Sequence, residues 1–226
     1  MSLKCWMKLD KFITVAIDGG AGSGKSTTSR LLAEKLNFMH VDTGSHYRVL
    51  SHFLIENNVS PDEAINFLNL NKFNLNSSII GNSCYFLINN LKVPDSDLRS
   101  EIINLNVSSY ASIPDVRTLL FDYQRSLVDL SKNNSFSGLV MEGRDIGTII
   151  LPKADLKLFL HASQDVRVSR RSNDGQSDSI SLRDKLDSGR KVAPLTPSLD
   201  SISIDTGVNS VDQVFTKISN LISNLW

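Results

Sequence analysis

Phe12-Ile13-Thr14-Val15-Ala16-Ile17-Asp18-Gly19-Gly20-Ala21-Gly22-Ser23-Gly24-Lys25-Ser26-Thr27 is the stretch on which the fold turns. Residues 12–17 form a short apolar, β-branched run, the pattern of a buried parallel strand. Residues 19–26 then fit G-x-x-x-x-G-K-[ST], and residues 25–36 read as a helix with Leu31, Leu32 and Leu36 inward. Glycines let the backbone wrap so that successive N–H groups converge on a phosphate. The helix N-terminus adds partial positive charge. Lys25 is placed to reach the β and γ oxygens, and Ser26 to offer its hydroxyl to Mg²⁺. Gly19, Gly20, Ala21, Gly22, Ser23, Gly24, Lys25, Ser26 and Thr27 are therefore the candidate nucleotide-binding residues. A Gly-rich turn with an accidental lysine would not need a strand before it and a helix after it. By itself the motif means a bound nucleoside triphosphate, since GTPases, ATPases, kinases and switches share it.

Working outward, residues 38–41, 139–141, 156–160 and 202–204 are further strand candidates. Near the C-terminus Val211, Val214, Phe215, Ile218, Leu221, Ile222 and Leu225 follow the helical i, i+3, i+4 rule, with Asn209 or Ser210 as the cap. Strands alternating with helices predict an α/β fold with a parallel core sheet. Residues 45–132 are mostly helical in pattern and rich in Asn and Ser. Within them, residues 72–93 break into short β-like pieces, where residues 85–88 and 91–93 flank Asn89-Asn90, a two-residue turn signal for a hairpin packed beside the core. Residues 172–181 carry no apolar pattern and read as mobile.

The chain has 226 residues, enough for one sizeable core with insertions. Lys and Arg number 24, as do Asp and Glu, so there is no basic surplus of the kind a nucleic-acid partner selects. Cys5 and Cys84 lie at no metal-ligand spacing and read as free thiols. No apolar run has membrane-spanning length, and residues 1–10 hold Lys4 and Lys8 without the apolar stretch of a secretory signal. The expectation is a soluble, cytoplasmic protein acting on small molecules.

Two further loops point to an acceptor. Asp42-Thr43-Gly44-Ser45-His46-Tyr47-Arg48 follows the second strand, at the sheet edge where open α/β folds bind ligands. Arg48 can fork onto a phosphate there, or be a surface arginine beside a core tyrosine. Met141-Glu142-Gly143-Arg144-Asp145-Ile146-Gly147-Thr148 follows another strand. Glu142 stands where such enzymes keep the carboxylate behind the Mg²⁺ ligand, and Arg144 and Asp145 sit in a Gly-bounded loop. Arg170 and Arg171 precede the patternless stretch, and Arg183, Lys185, Arg190 and Lys191 follow it. A segment bracketed by cations suits a lid that excludes water. Alternating charge over Arg183, Asp184, Lys185 and Asp187 also fits a solvated helix face.

Together these residues resemble bacterial cytidylate kinase, a nucleoside monophosphate kinase family. The resemblance spans nearly the whole chain. It rests on Ile17-Asp18-Gly19 with the phosphate loop, Asp42-Thr43-Gly44 with Tyr47-Arg48, residues 142–148, Arg183-Asp184, and Asp187 through Val192-Ala193-Pro194-Leu195. It implies one kinase domain with a core at about 10–44, 133–170 and 191–226, an acceptor insert with a small antiparallel sheet at about 45–132, and a lid at about 171–190. It implies phosphorylation of CMP and dCMP by Mg²⁺·ATP in pyrimidine nucleotide metabolism, by a monomer. Lys25, Arg144, Arg183 and Arg190 are the expected catalytic residues. Thr43, Tyr47, Arg48, Ser108, Arg117, Arg144, Asp145, Arg183, Asp187 and Arg190 are the expected acceptor site, with Ser26 and Glu142 serving the metal. Ser109 is the alternative serine. The chain departs from the family in a shorter lid between Arg171 and Arg183, and in Leu186 and Ser188-Gly189 where more charge is usual.

Two other readings share the phosphate loop. A small-metabolite kinase such as a shikimate kinase would not need the long insert. A GTPase switch would carry Asn-Lys-x-Asp, whereas Asn71-Lys72 continues into Phe73-Asn74.

Overall fold

A computed structural model of the protein describes residues 11–173, 180–189 and 193–225, with Ser181, Leu182 and Arg183 described by backbone alone. In chain order the elements are β1 (Ile13–Gly19), α1 (Lys25–Leu36), β2 (Phe38–Asp42), α2 (Thr43–Glu56), α3 (Ala64–Leu70), β3 (Leu75–Ile80), β4 (Ser83–Ile88), α4 (Asp95–Leu98) and α5 (Glu101–Ala111). They continue with α6 (Pro114–Asn133), β5 (Gly138–Gly143), β6 (Leu156–His161), α7 (Gln164–Asn173), α8 (Ile180–Ser188), β7 (Ile202–Asp205) and α9 (Val211–Ser223). A π-helical turn, Ile146–Ile150, follows β5. None of the described helices is long and apolar enough to cross a membrane.

The strands form one sheet in the order β3-β4-β2-β5-β1-β6-β7, parallel except for β3 against β4. Strand alternation sorts its side chains onto two faces. Val15, Ile17, Val140 and Leu158 meet Leu32, Val214, Ile218 and Ile222 of α1 and α9 on one face. Ala16, Met39, Val41, Leu139 and Met141 meet Leu127 of α6 and Ile146 and Ile150 on the other. A third cluster, with Leu50, Leu54, Phe86, Leu98, Tyr110, Val116 and Leu120, knits residues 45–132 together. Ser210 caps α9, accepting from Gln213 N at 3.2 Å, while Asn209 instead donates to the Asp205 carbonyl. Val211 and Leu225 lie at the helix ends beyond the sheet and remain exposed, unlike the inward residues between them.

The antiparallel pair differs in register from the expectation. β4 contains residues 85–88, but its partner is β3, joined through Gly81 and Asn82. Asn89 and Asn90 do turn, at φ 53° and 64°, yet residues 91–93 contribute a single bridge, Leu91 to Ile88. The reason is edge occupancy. β3 pairs along the whole of β4, and β2 takes the start of its other edge at Ser83 and Cys84. The hairpin is thus a continuation of the core sheet rather than a separate small sheet. Of the stretch expected to lack pattern, Ser172 and Asn173 complete α7 and Ile180 is a buried start to α8. Residues 174–179 lie outside the described residues.

Candidate active site

The pairing of β5 with both β1 and β2 brings three loops together. Ile17 and Asp42 are both register partners of Glu142, and Asp18 of Gly143. The phosphate loop, the 42–48 turn and the 142–148 loop therefore open side by side at one end of the sheet. Between them lies a cavity of about 510 Å³.

On the phosphate-loop side, Gly22 and Gly24 adopt φ 72° and 84°, the left-handed region glycine favours. A side chain at Gly22 would also come within 2.8 Å of the Arg167 carbonyl. Lys25 opens α1 and donates to the Gly20 carbonyl at 2.7 Å. Burial pushes its pKa down to about 7, helped by the like charge of Arg144 and opposed by Glu142, Asp42 and Asp18. Ser26 Oγ donates to Glu142 Oε2 at 2.9 Å, and His40 Nε2 lies 2.8 Å from Glu142 Oε1. From α7, Arg167 donates to the Ala21 carbonyl and pairs with Asp184 of α8 at 2.5 Å. Arg170 donates to the Gly22 carbonyl and to Thr206.

The opposite wall is cationic and carboxylate-rich. Arg48 donates to the Leu98 carbonyl at 2.6 Å, and Arg144 Nε donates to Asp187 Oδ2 of α8 at 2.7 Å. Burial opposes the Arg144 charge, but Asp187, together with Asp184 and Asp42, outweighs it, so the guanidinium is held above its ordinary pKa. Arg117 of α6 is buried, pairs with Asp145 and donates to the Ala111 carbonyl at 3.1 Å. The Tyr47 ring centroid lies 5.3 Å from its guanidinium carbon. Asp18, one residue before the phosphate loop, accepts from Ile146 N and Gly147 N at 2.7 and 2.8 Å. Burial pushes its carboxyl up to about 6 against those two donors. It ties the loop carrying Arg144 and Asp145 to β1.

A phosphate cradle facing an arginine-lined pocket on a parallel sheet narrows the class, and comparison with known proteins settles it. The cytidylate kinase family profile matches residues 15–224. The chain belongs to the cytidylate kinase family. The cytidylate kinase of Clostridium botulinum (strain Langeland) is 40% identical over 221 residues, covering 93% of this chain and 97% of that protein. Those of Clostridium tetani and Leuconostoc mesenteroides are 39% and 38% identical, covering 94% and 93% of this chain and 94% and 96% of theirs. A solved structure from Thermus thermophilus, TT1252, matches at TM-score 0.50 and 16% identity over 96% of this chain and 100% of that one, which speaks for the fold alone. As a member of the cytidylate kinase family, the protein is a kinase, a nucleotide-binding transferase.

Against this family background, the expected residues fall into groups. Ala21, Gly22, Lys25, Ser26, Thr43, Tyr47, Arg48, Ser108, Arg117, Glu142, Arg144, Asp145 and Asp187 all line the cavity. Ser108 faces it, whereas Ser109 is exposed elsewhere on α5. Gly19, Gly20, Ser23 and Gly24 shape the loop from behind, and Thr27 is exposed on α1 away from the cavity. The Thr43 hydroxyl donates to the Glu142 carbonyl at 2.8 Å, bracing one loop on another. The Arg183 side chain and Arg190 lie outside the described residues, as does Cys5, while Cys84 is a free, buried thiol. Two contributors escaped the sequence reading, His40 and Arg167, and Asp18 enters it only as part of the resemblance at the phosphate loop, without a role. The signal for His40 was a lone polar residue inside the apolar run Phe38-Met39-His40-Val41.

Proposed function

We propose that the protein transfers the γ-phosphoryl group of Mg²⁺·ATP to CMP and dCMP, in the cytoplasm and as a monomer. The observation that carries this reading is the single cavity in which Lys25 and Ser26 face Arg48, Ser108, Arg117, Arg144, Asp145 and Asp187. Residues of about 45–132 then serve as the acceptor insert and about 171–190 as the lid.

The acceptor oxygen of a nucleoside monophosphate is already ionised, so the reaction needs alignment and charge stabilisation rather than a strong base. Lys25 exchanges the Gly20 carbonyl for phosphate oxygens of the donor. Arg144 and Arg48 hold the acceptor phosphate, with Arg183 and Arg190 approaching from the lid. Arg117 donates to the carbonyl and ring nitrogen of cytosine, and Ser108 or Asp145 accepts from its amino group.

The donor set also fits a hard cation. Ser26 donates its O–H hydrogen bond to Glu142, leaving its lone pairs outward. Among the described residues no group of three or more His, Cys, Asp or Glu forms a cage. A cation here would take most of its ligands from phosphate and water, which is the habit of Mg²⁺. When bound it would neutralise charge on the transferring phosphates.

A coupled ADP-release assay with CMP, dCMP, UMP, AMP and shikimate tests the reading. CMP and dCMP should turn over, with CMP ahead of UMP by at least about tenfold in kcat/KM, because uracil sets an N–H against Arg117. Turnover of shikimate, or hydrolysis without any acceptor use, would replace this reading with one of the two alternatives.

A further inference from the structure

We propose that His40 is a positioning residue for the donor cation, holding Glu142 in the rotamer that turns the lone pairs of Ser26 outward. This rests on the reading of Ser26 as the protein's ligand to Mg²⁺. His40 is 4% exposed and Glu142 2%; His40 stands between Met39 and Val41, Glu142 follows Met141, and Asp42 is the register partner of Glu142. Packing alone gives no reason for an imidazole there. Its Nε2 donates to Glu142 Oε1 across 2.8 Å, and Glu142 Oε2 accepts from Ser26 Oγ at 2.9 Å. A carboxylate engaged on both oxygens cannot rotate without breaking one contact. The Ser26 hydroxyl has one O–H, so while that O–H donates to Glu142 both oxygen lone pairs remain for a cation.

The strand position that carries the ring is fixed by the hairpin. The main-chain N–H of His40 donates to the Asn82 carbonyl at 2.7 Å, at the turn of the β3–β4 hairpin. Asn82 Nδ2 in turn donates to the Phe38 and Ala33 carbonyls, the latter on the helix that begins at Lys25 and Ser26. The hairpin holds the β2 backbone at His40, and the imidazole, the carboxylate and the metal-facing hydroxyl form one chain of side-chain contacts. Outer partners of this kind are worth about 10- to 100-fold in metal affinity.

The test is calorimetric titration of ATP into wild type, His40→Phe and His40→Gln, over a range of free Mg²⁺ and in EDTA, with CMP titrated separately. His40→Phe should raise the Mg²⁺ concentration at half of the metal-dependent gain in ATP affinity by about tenfold. ATP affinity in EDTA and CMP affinity should stay within about twofold. Glutamine can donate to the same oxygen, so His40→Gln should return to within about threefold of wild type. An unchanged Mg²⁺ dependence in His40→Phe overturns the proposal. So does equal weakening of metal-free ATP and of CMP, which would mean a packing role. If His40→Phe does not fold, ring-nitrogen NMR of wild type decides: the His40 Nε2 signal should move with Mg²⁺·ATP and not with ATP in EDTA, and identical spectra overturn the proposal. Wild type that gains no ATP affinity from Mg²⁺ would remove the metal reading itself, and this inference with it.

Discussion

Lys25 is buried, cationic by chemistry and opposed in that charge by its surroundings. Glu142, Asp42 and Asp18 offset part of what burial takes away, and a polyanion in the phosphate loop would add to them. Replacing it by Met should therefore lower kcat by at least about a thousandfold, because its charge acts on negative charge that builds during transfer. Circular dichroism beside a coupled assay checks this, and a folded variant with near-normal turnover would sink it. Arg117 makes the second prediction at this scale. Asp115 and Asp122 are the carboxylates nearest to it along the chain. The structure instead buries it against Asp145. Arg117→Met should remove most of the CMP-over-UMP preference, mainly by weakening CMP, by roughly tenfold or more in kcat/KM. Wild-type CMP kinetics with an unchanged ratio would rule out base reading. These two residues also mark what a sequence discloses. The glycines around Lys25 answer a steric demand within eight positions, so the motif is legible. The partners of Arg117 and His40 lie far along the chain, at Asp145 and Glu142, and nothing local announces them.

Among the elements, α2 carries Tyr47 and Arg48 towards the cavity and turns His46 the other way, into the interior. His46 is fully buried, with Phe86 and Tyr123 rings at 5.1 and 5.4 Å and the Gln124 amide nitrogen 3.5 Å from its Nδ1. Its Nε2 has no hydrogen-bond partner among the described residues. Burial pushes its pKa down from 6.5 to about 4, with Asp42 pulling the other way. A base with a depressed folded pKa contributes nothing above 6.5, and stability is lost as the pH falls from 6.5 through 4. The loss should reach about 3 kcal/mol at the acid end. Urea melts at pH 7 and pH 4.5 should show a steeper loss for wild type than for His46→Gln, and parallel losses would refute the assignment. Element prediction fared unevenly for a physical reason. The parallel strands and α9 follow from apolar spacing, which is a local property. The partner of β4 was misplaced because Asn89-Asn90 is a sound turn signal, yet the choice of partner depends on which edges of β4 are already taken.

Over the whole molecule, the wall proposed to hold the acceptor is assembled from distant parts, with Arg48 on α2, Arg117 on α6, Arg144 after β5 and Asp187 on α8. The phosphate loop on β1 is a separate piece of chain. Donor and acceptor binding should accordingly separate under mutation. Arg144→Ala should reduce kcat/KM for CMP by at least about a hundredfold while ATP affinity stays within about threefold. Calorimetry of ATP beside CMP kinetics measures both, and equal losses would make Arg144 a donor or scaffold residue.

β5 lies between β1 and β2, pairing with each. During synthesis that order has a consequence for the ribosome-bound chain. The first two strands to emerge cannot pair with one another, because their native neighbour is a third strand that begins only at Gly138. Until it arrives they present unpaired, largely apolar edges, which is the situation in which nascent chains associate wrongly. The sheet closes late and through contacts of long sequence separation, so folding should be slow for a chain of this size and should begin in earnest only once residue 143 has cleared the exit tunnel.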